Sequence, residues 1–260
     1  MPLLKLILAF FAIAMIYASA GFGGGSSYLA MMGSVGISRE VMKTTALVCN
    51  IVVVMNGSWI HWRAGSLDFK KMLPLIALSV PMVIVGSWIP LSDRLFFLLL
   101  GGSLILAAIA LLAGTFIQQP TDSTASQKIF RYSTPISSLL GAGVGLLSGM
   151  VAIGGGIFLS PILNLLRWDT PKRIAATAAF FILVNSIAGL VVQFNSGKSL
   201  HPIIANGPTT LSLMLSVFIG GRIGSTISVS KLTQSWVVRV TAILVFAAGA
   251  NILRSHLGMR

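Results

Sequence analysis

Acidic residues are scarce in this chain of 260 residues, and none of the five falls inside an apolar run. Glu40, Asp68, Asp93, Asp122 and Asp169 all sit in loops or at the edges of predicted spans. Cation pumps and proton-coupled carriers generally bind their charge on a carboxylate or histidine inside the membrane, and no carboxylate is offered here. Histidine is also sparse: His61, His201 and His256 are scattered at loop or terminal positions and make no metal site. The single cysteine, Cys49, lies in an apolar run, which provides neither a disulfide nor a metal pair. No Gly-rich loop ending in Lys-Ser/Thr is present, and no polar stretch is long enough to bind ATP, so these residues do not build an ATP-driven machine.

What is abundant is apolar sequence. Hydrophobic residues make up 55% of the chain, charged residues 9%, and the mean hydropathy is +0.94, against roughly 25% charged residues in soluble domains. The composition is that of an integral membrane protein. Its net charge of +13 would suggest nucleic acid in a soluble chain, but in short membrane loops basic residues orient helices and meet anionic headgroups.

Leu3–Ser19 is a continuous apolar run. The glycine cluster after it has a counterpart later in the chain, which favours a first membrane helix over a cleaved signal peptide. Apolar runs follow at 28–35, 44–60, 73–89 and 95–117, then at 136–150, 158–166, 174–194, 209–229 and 236–253. His61, Trp62 and Arg63 close the second span as a headgroup-level anchor. The polar stretch 118–135, rich in Ser, Thr and Gln, separates two similar halves. The triplets Gly23-Gly24-Gly25 and Gly154-Gly155-Gly156 lie 131 residues apart, Thr45 and Thr177 132 apart, and Gly86 and Gly221 135 apart. The expected plan is therefore all-α and membrane-embedded, with about eight transmembrane segments. They form a four-span repeat at 1–118, a connector at 119–135 and a second four-span repeat at 136–260. A broken segment that crosses makes the repeats parallel, and one that re-enters makes them inverted; neither segment lengths nor basic residues in alternating loops decide between these.

The glycines break helices inside membrane-grade sequence. Irregular backbone at that depth is tolerated only where protein or a water-filled cavity satisfies its N–H and C=O groups. A helix restarting at Ser26-Ser27 or at Ile157-Phe158 presents free N–H groups and the positive end of its dipole, which suit an anion. The candidate binding residues are thus Gly23, Gly24, Gly25 and Ser26 with Gly154, Gly155 and Gly156. Thr44, Thr45, Asn50, Thr177, Asn185 and Ser186 lie on the spans that follow, and Thr45 and Thr177 lead among them. Arg222, flanked by glycines at 220, 221 and 224, is the basic residue nearest a span interior, where it can draw in an anion or snorkel to an interface. The competing reading of the glycines is close packing of helices through small residues.

At these residues the chain resembles the TauE/SafE family of sulfite and sulfonate exporters, also called the 4-toluene sulfonate uptake permease family. The resemblance spans nearly the whole chain and rests on AGFGGGSS at 20–27, AIGGGIFLSP at 152–161, the threonine after each basic turn, and GGRIGS at 220–225. It implies a multi-pass protein of the bacterial inner membrane that moves a small sulfur-containing or organic oxyanion; independently, the inside-negative potential would favour export of an anion. It implies no catalytic residue, cofactor or metal. The expected partners are the anionic substrate and the bilayer, with no nucleic acid, and a homodimer is an open expectation. Gly86-Ser87-Trp88 offers no first-half partner for Arg222, a departure from a symmetric role. An anion channel and a membrane-embedded enzyme are the alternatives.

Overall fold

A computed structural model describes residues 3–34, 36–117, 134–195, 207–229 and 234–257. The regular structure among them is helical: α1 (Leu3–Ser19), α2 (Gly25–Ser34), α3 (Arg39–Arg63), α4 (Phe69–Trp88), α5 (Asp93–Ile117), α6 (Thr134–Val151), α7 (Gly156–Leu165), α8 (Pro171–Asn195), α9 (Gly207–Val229) and α10 (Gln234–Leu257). Nearly all of the connector lies outside the described residues. Among the described residues the eight expected spans correspond to ten helices, because each glycine cluster ends one helix and starts another. Six of them, α3, α4, α5, α6, α8 and α10, are long and apolar enough to cross a bilayer among the described residues. Leu73, Leu106, Leu139 and Ile243 are exposed on the outside of the bundle, where hydrocarbon replaces water as the solvent. This is a multi-pass membrane protein.

Side-chain contacts fix the direction of each helix. Ser216 Oγ on α9 donates to the Ile7 carbonyl on α1 at 2.8 Å, while Gly220 and Gly224 lie against the carbonyls of Phe11 and Met15. The contacts advance by four residues on both helices in the same order, so α1 and α9 run parallel. Small residues let the two backbones touch, the usual device for packing helices without a hydrophobic driving force. α6 packs on α4 in the same way, with Gly141, Gly145 and Gly149 against Leu75, Ser79 and Val83. Gly221 on Val53 and Gly57 on Ser225 make α9 parallel to α3, so α1 and α3 point the same way. Between them α2 runs back, with Gly25 beside Asn50 and Gly33 beside Met42. α1 and α2 are therefore the arms of a hairpin that enters from the end where α3 begins (end A) and returns to it.

The remaining helices are oriented by the same kind of contact. Ser79 meets Asn185 and Val83 approaches Gly189, which makes α8 parallel to α4 and opposed to α3. Phe97 stacks on His256 at 3.6 Å, and Gly101 meets Leu253, so α5 and α10 are antiparallel. α6 and α7 then form a hairpin entered from the end where α3 finishes (end B).

Buried charge closes end B. Asp169, with its side chain 2% exposed, binds Lys71 Nζ at 2.6 Å and faces Arg173 at 3.7 Å; it also accepts from its neighbour's amide, Thr170 N–H, at 2.7 Å. At end A, Arg39 pairs with Asp93, which is 74% exposed, and donates to the Leu91 carbonyl at 2.7 Å. Removing one partner of a buried pair strands the other, whereas solvated pairs contribute little. Lys71→Met is expected to cost about 2 kcal/mol and Arg39→Met under about 1 kcal/mol, measured by thermal unfolding in detergent. Equal shifts would show that the two pairs are equally solvated.

Candidate functional site

Asn50, at the middle of α3 and 0% exposed, joins the two glycine breaks. Its Oδ1 accepts from the Gly25 N–H at 2.9 Å, the first amide of α2. Its Nδ2 donates to the Ile153 carbonyl at 2.9 Å, just past the end of α6. A carboxamide suits this place because it offers an acceptor and a donor on one planar group.

The two breaks have similar local geometry. Gly24 and Gly155 take φ of +86° and +82°, while Gly21 and Ala152, each three residues earlier, are also at positive φ. The Gly24 carbonyl accepts from Ser27 and Tyr28, and the Gly155 carbonyl from Phe158 and Leu159. Each helix therefore restarts on a left-handed glycine that no ordinary side chain could replace without strain. α2 and α7 begin one residue before the Ser26 and Ile157 starts read from the sequence.

Hydroxyl and amide groups surround the breaks. Tyr17 Oη and Ser27 Oγ are 2.5 Å apart, and Ser26 Oγ donates to Tyr17 Oη at 3.4 Å. Tyr28 Oη and Ser186 Oγ are buried without a hydrogen-bond partner. Tyr28 Oη lies where a Cβ on Gly24 would come within 2.9 Å, and Ser186 Oγ where one on Gly154 would come within 2.8 Å. Ser79 Oγ donates to Asn185 Oδ1 at 2.9 Å, which turns the Asn185 Nδ2 away without a partner of its own. Unpaired buried donors are costly. Here two of them, the Tyr28 and Ser186 hydroxyls, lie against the glycine breaks, among described residues that contain no His, Cys, Asp or Glu group able to hold a metal ion.

At end A a polar cleft of about 440 Å³ opens between α3, the end of α4 and the end of α8, with Arg39, Lys43, Trp88 and Gln193 in its walls. Leu47 and Val83, meeting at Gly189, stand between that cleft and Asn50. Beyond Asn50, toward end B, the void around Gly21, Val54, Gly57 and His61 is too tight to admit water.

The structure brings Gly23, Gly24, Gly25 and Ser26 together with Gly154, Gly155 and Gly156 around Asn50. Thr177 is buried on α8 and Thr45 half-buried on α3, and neither makes a side-chain hydrogen bond to the breaks among the described residues. Thr44 Oγ1 bonds back to the Glu40 carbonyl at 2.9 Å. Arg222 lies apart from the site. Gly220, Gly221 and Gly224 turn one face of α9 toward α1 and α3, which leaves Arg222 exposed on the outer side, as a snorkelling residue would be. His61, expected in a loop, lies within α3 and is 1% exposed. Tyr17, Tyr28 and Ser79 carried no signal in the sequence, since one hydroxyl in an apolar run does not reveal which way it faces.

Helices broken at mid-depth and facing each other across a bundle are a device of transporters. Comparison with known proteins agrees. Residues 6–252 match the family described as Sulfite exporter TauE/SafE, and the chain belongs to that family. It is 30% identical over 251 residues to "Probable membrane transporter protein y4hK" of Sinorhizobium fredii, covering 95% of this chain and 97% of that protein. It is 27% identical to "Probable membrane transporter protein MamO" of Paramagnetospirillum magneticum, spanning only 37% of that longer protein. It is 23% identical to "Probable membrane transporter protein YjnA" of Bacillus subtilis over 80% of this chain and 83% of that one. No solved structure matches the chain significantly. The family and these names denote membrane transporters rather than enzymes.

Proposed function

We propose that the protein is a secondary exporter of a small oxyanion such as sulfite, a sulfonate or a small organic carboxylate, bound between the starts of α2 and α7. The observation that carries this reading is the Asn50 bridge, with an unpartnered buried hydroxyl against each break. Two dipole ends and several N–H and O–H donors suit an anion, whereas a cation there would have no counter-charge.

Two inverted repeats, one of α1–α5 and one of α6–α10, would account for the packing. α4 lies on α6 of the other half and α9 on α1, while α3 with α8 and α5 with α10 pair antiparallel. The positive-φ positions also correspond, Gly21 with Ala152 and Gly24 with Gly155, 131 residues apart. Each half would then contribute a hairpin and three crossing helices. An open cleft at end A and an ion-paired end B favour a carrier that alternates over a continuous channel. Described basic residues are more numerous toward end B, at Arg63, Lys70, Lys71, Arg167, Lys172, Arg173 and Arg239, than toward end A, at Lys5, Arg39, Lys43, Arg94 and Arg254. By the positive-inside rule end B would be cytoplasmic.

The test is flux in proteoliposomes under an imposed potassium-diffusion potential, with sulfite and a neutral sulfur compound side by side. Sulfite flux should saturate and rise steeply with voltage, since each charge gains about 2.3 kcal/mol per 100 mV. Movement of the neutral compound or of a cation, with sulfite excluded, would overturn the proposal.

A further inference from the structure

A second site lies at end B, away from the glycine breaks. Between α3, α4, α8 and α9 there is a cleft of about 610 Å³ with aromatic walls that include Trp59, Trp62, Phe69 and Phe180. Trp59, Trp62 and Phe69 are about half exposed, so the cleft opens outward to the surface that faces lipid. Two polar side chains line it, Asn56 and Ser58. Asn56 Nδ2 and Ser58 Oγ are buried without a hydrogen-bond partner, and Ser58 is only 5% exposed. Above them, at the end of α3, the Arg63 guanidinium lies 5.0 Å over the Trp59 ring.

Donors left unsatisfied at the edge of the hydrocarbon are costly. At 1.5 Å per residue Asn56 lies about 10 Å below Arg63. Over that distance a phospholipid changes from its charged phosphate to its ester carbonyls and then to its acyl chains. The cleft has the same sequence of chemistry: a cation with amphipathic rings at the interface, two hydrogen-bond donors below, and apolar walls. We propose that the cleft holds one anionic phospholipid, its phosphate paired with Arg63, its ester carbonyls accepting from Asn56 and Ser58, and an acyl chain along the aromatic walls. The basic side chains of Lys70 and Arg63 at this end favour an anionic over a zwitterionic headgroup. This site is independent of the transport reading and stands or falls without it.

Tryptophan fluorescence tests it on the full chain reconstituted in vesicles. A variant with Trp88, Trp168 and Trp236 each changed to Phe keeps Trp59 and Trp62 as reporters. Brominated phosphatidylglycerol in a phosphatidylcholine bilayer should quench them at a mole fraction about fivefold lower than brominated phosphatidylcholine does. Arg63→Gln should remove that preference, and Asn56→Leu with Ser58→Ala should weaken quenching by both lipids. In the otherwise wild-type chain, changing Trp59 and Trp62 to Phe should abolish the headgroup-specific component. Equal quenching by the two lipids, unchanged by these substitutions, would mean that the cleft meets only bulk lipid and would overturn the proposal. Relief of quenching by sulfite would overturn it as well, since the cleft would then belong to a solute path.

Discussion

Gly155→Val and Gly24→Val should each reduce anion flux by about a hundredfold while the protein still inserts and purifies as a folded species. Both positions lie at φ above +80°, where a β-branched residue is strained by roughly 1–3 kcal/mol. The space is filled as well: a Cβ on Gly155 would come within 2.9 Å of the Phe181 ring, and one on Gly24 within 2.9 Å of Tyr28 Oη. The helix start must shift to relieve either contact, and a displacement of about 1 Å in a binding geometry costs on the order of a hundredfold. Gly143→Val is the control, since that glycine has open space beside it and should leave flux near wild type. Sulfite uptake with size-exclusion profiles of each variant is the measurement. Normal flux in either break variant would remove these glycines from the site, and collapse of the folded peak would assign them to packing instead.

The helices were legible in the sequence because membrane-grade apolar runs are long and their ends are marked by charge. Leu3–Ser19 is read with the boundaries it has in the fold, and the α3 run misses only the polar turns at Arg39–Lys43 and His61–Arg63. The breaks were legible for the same reason: three glycines in an apolar run have no ordinary place in a helix. Helix direction was not legible. Whether α2 continues α1 or returns along it depends on contacts such as Gly33 with Met42, and no local pattern records them. Arg222 shows the other limit. Its three glycines do allow close approach, but they bring α9 against α1 and α3 and so turn the arginine outward. Asn50 stood out only as an amide in an apolar run, and that it spans both breaks depends on Gly25 and Ile153, 25 residues before it and 103 after it.

Asn50→Asp should abolish anion binding, at a cost in stability because the Ile153 carbonyl loses its donor. Oδ1 of the carboxamide accepts from the first amide of α2, and its Nδ2 donates to the Ile153 carbonyl just past α6. Aspartate keeps the acceptor for the Gly25 N–H and the favourable dipole, but it sets a carboxylate oxygen against the Ile153 carbonyl and fixes a negative charge between the two helix starts. Two like charges about 5 Å apart at an effective dielectric of 20 repel by about 3 kcal/mol, which corresponds to a loss in affinity of about a hundredfold. Asn50→Leu has nearly the same shape without the polar ends. It strands one buried donor and one buried acceptor at about 1–3 kcal/mol each, so its loss should appear first as instability. The measurement is thermal unfolding with and without sulfite. The wild-type protein should be stabilised by the anion, the Asp variant should unfold earlier than wild type with no response to it, and the Leu variant should unfold earlier as well. Undiminished stabilisation of the Asp variant by sulfite would place the anion away from Asn50 and leave the carboxamide as a tie between the halves alone.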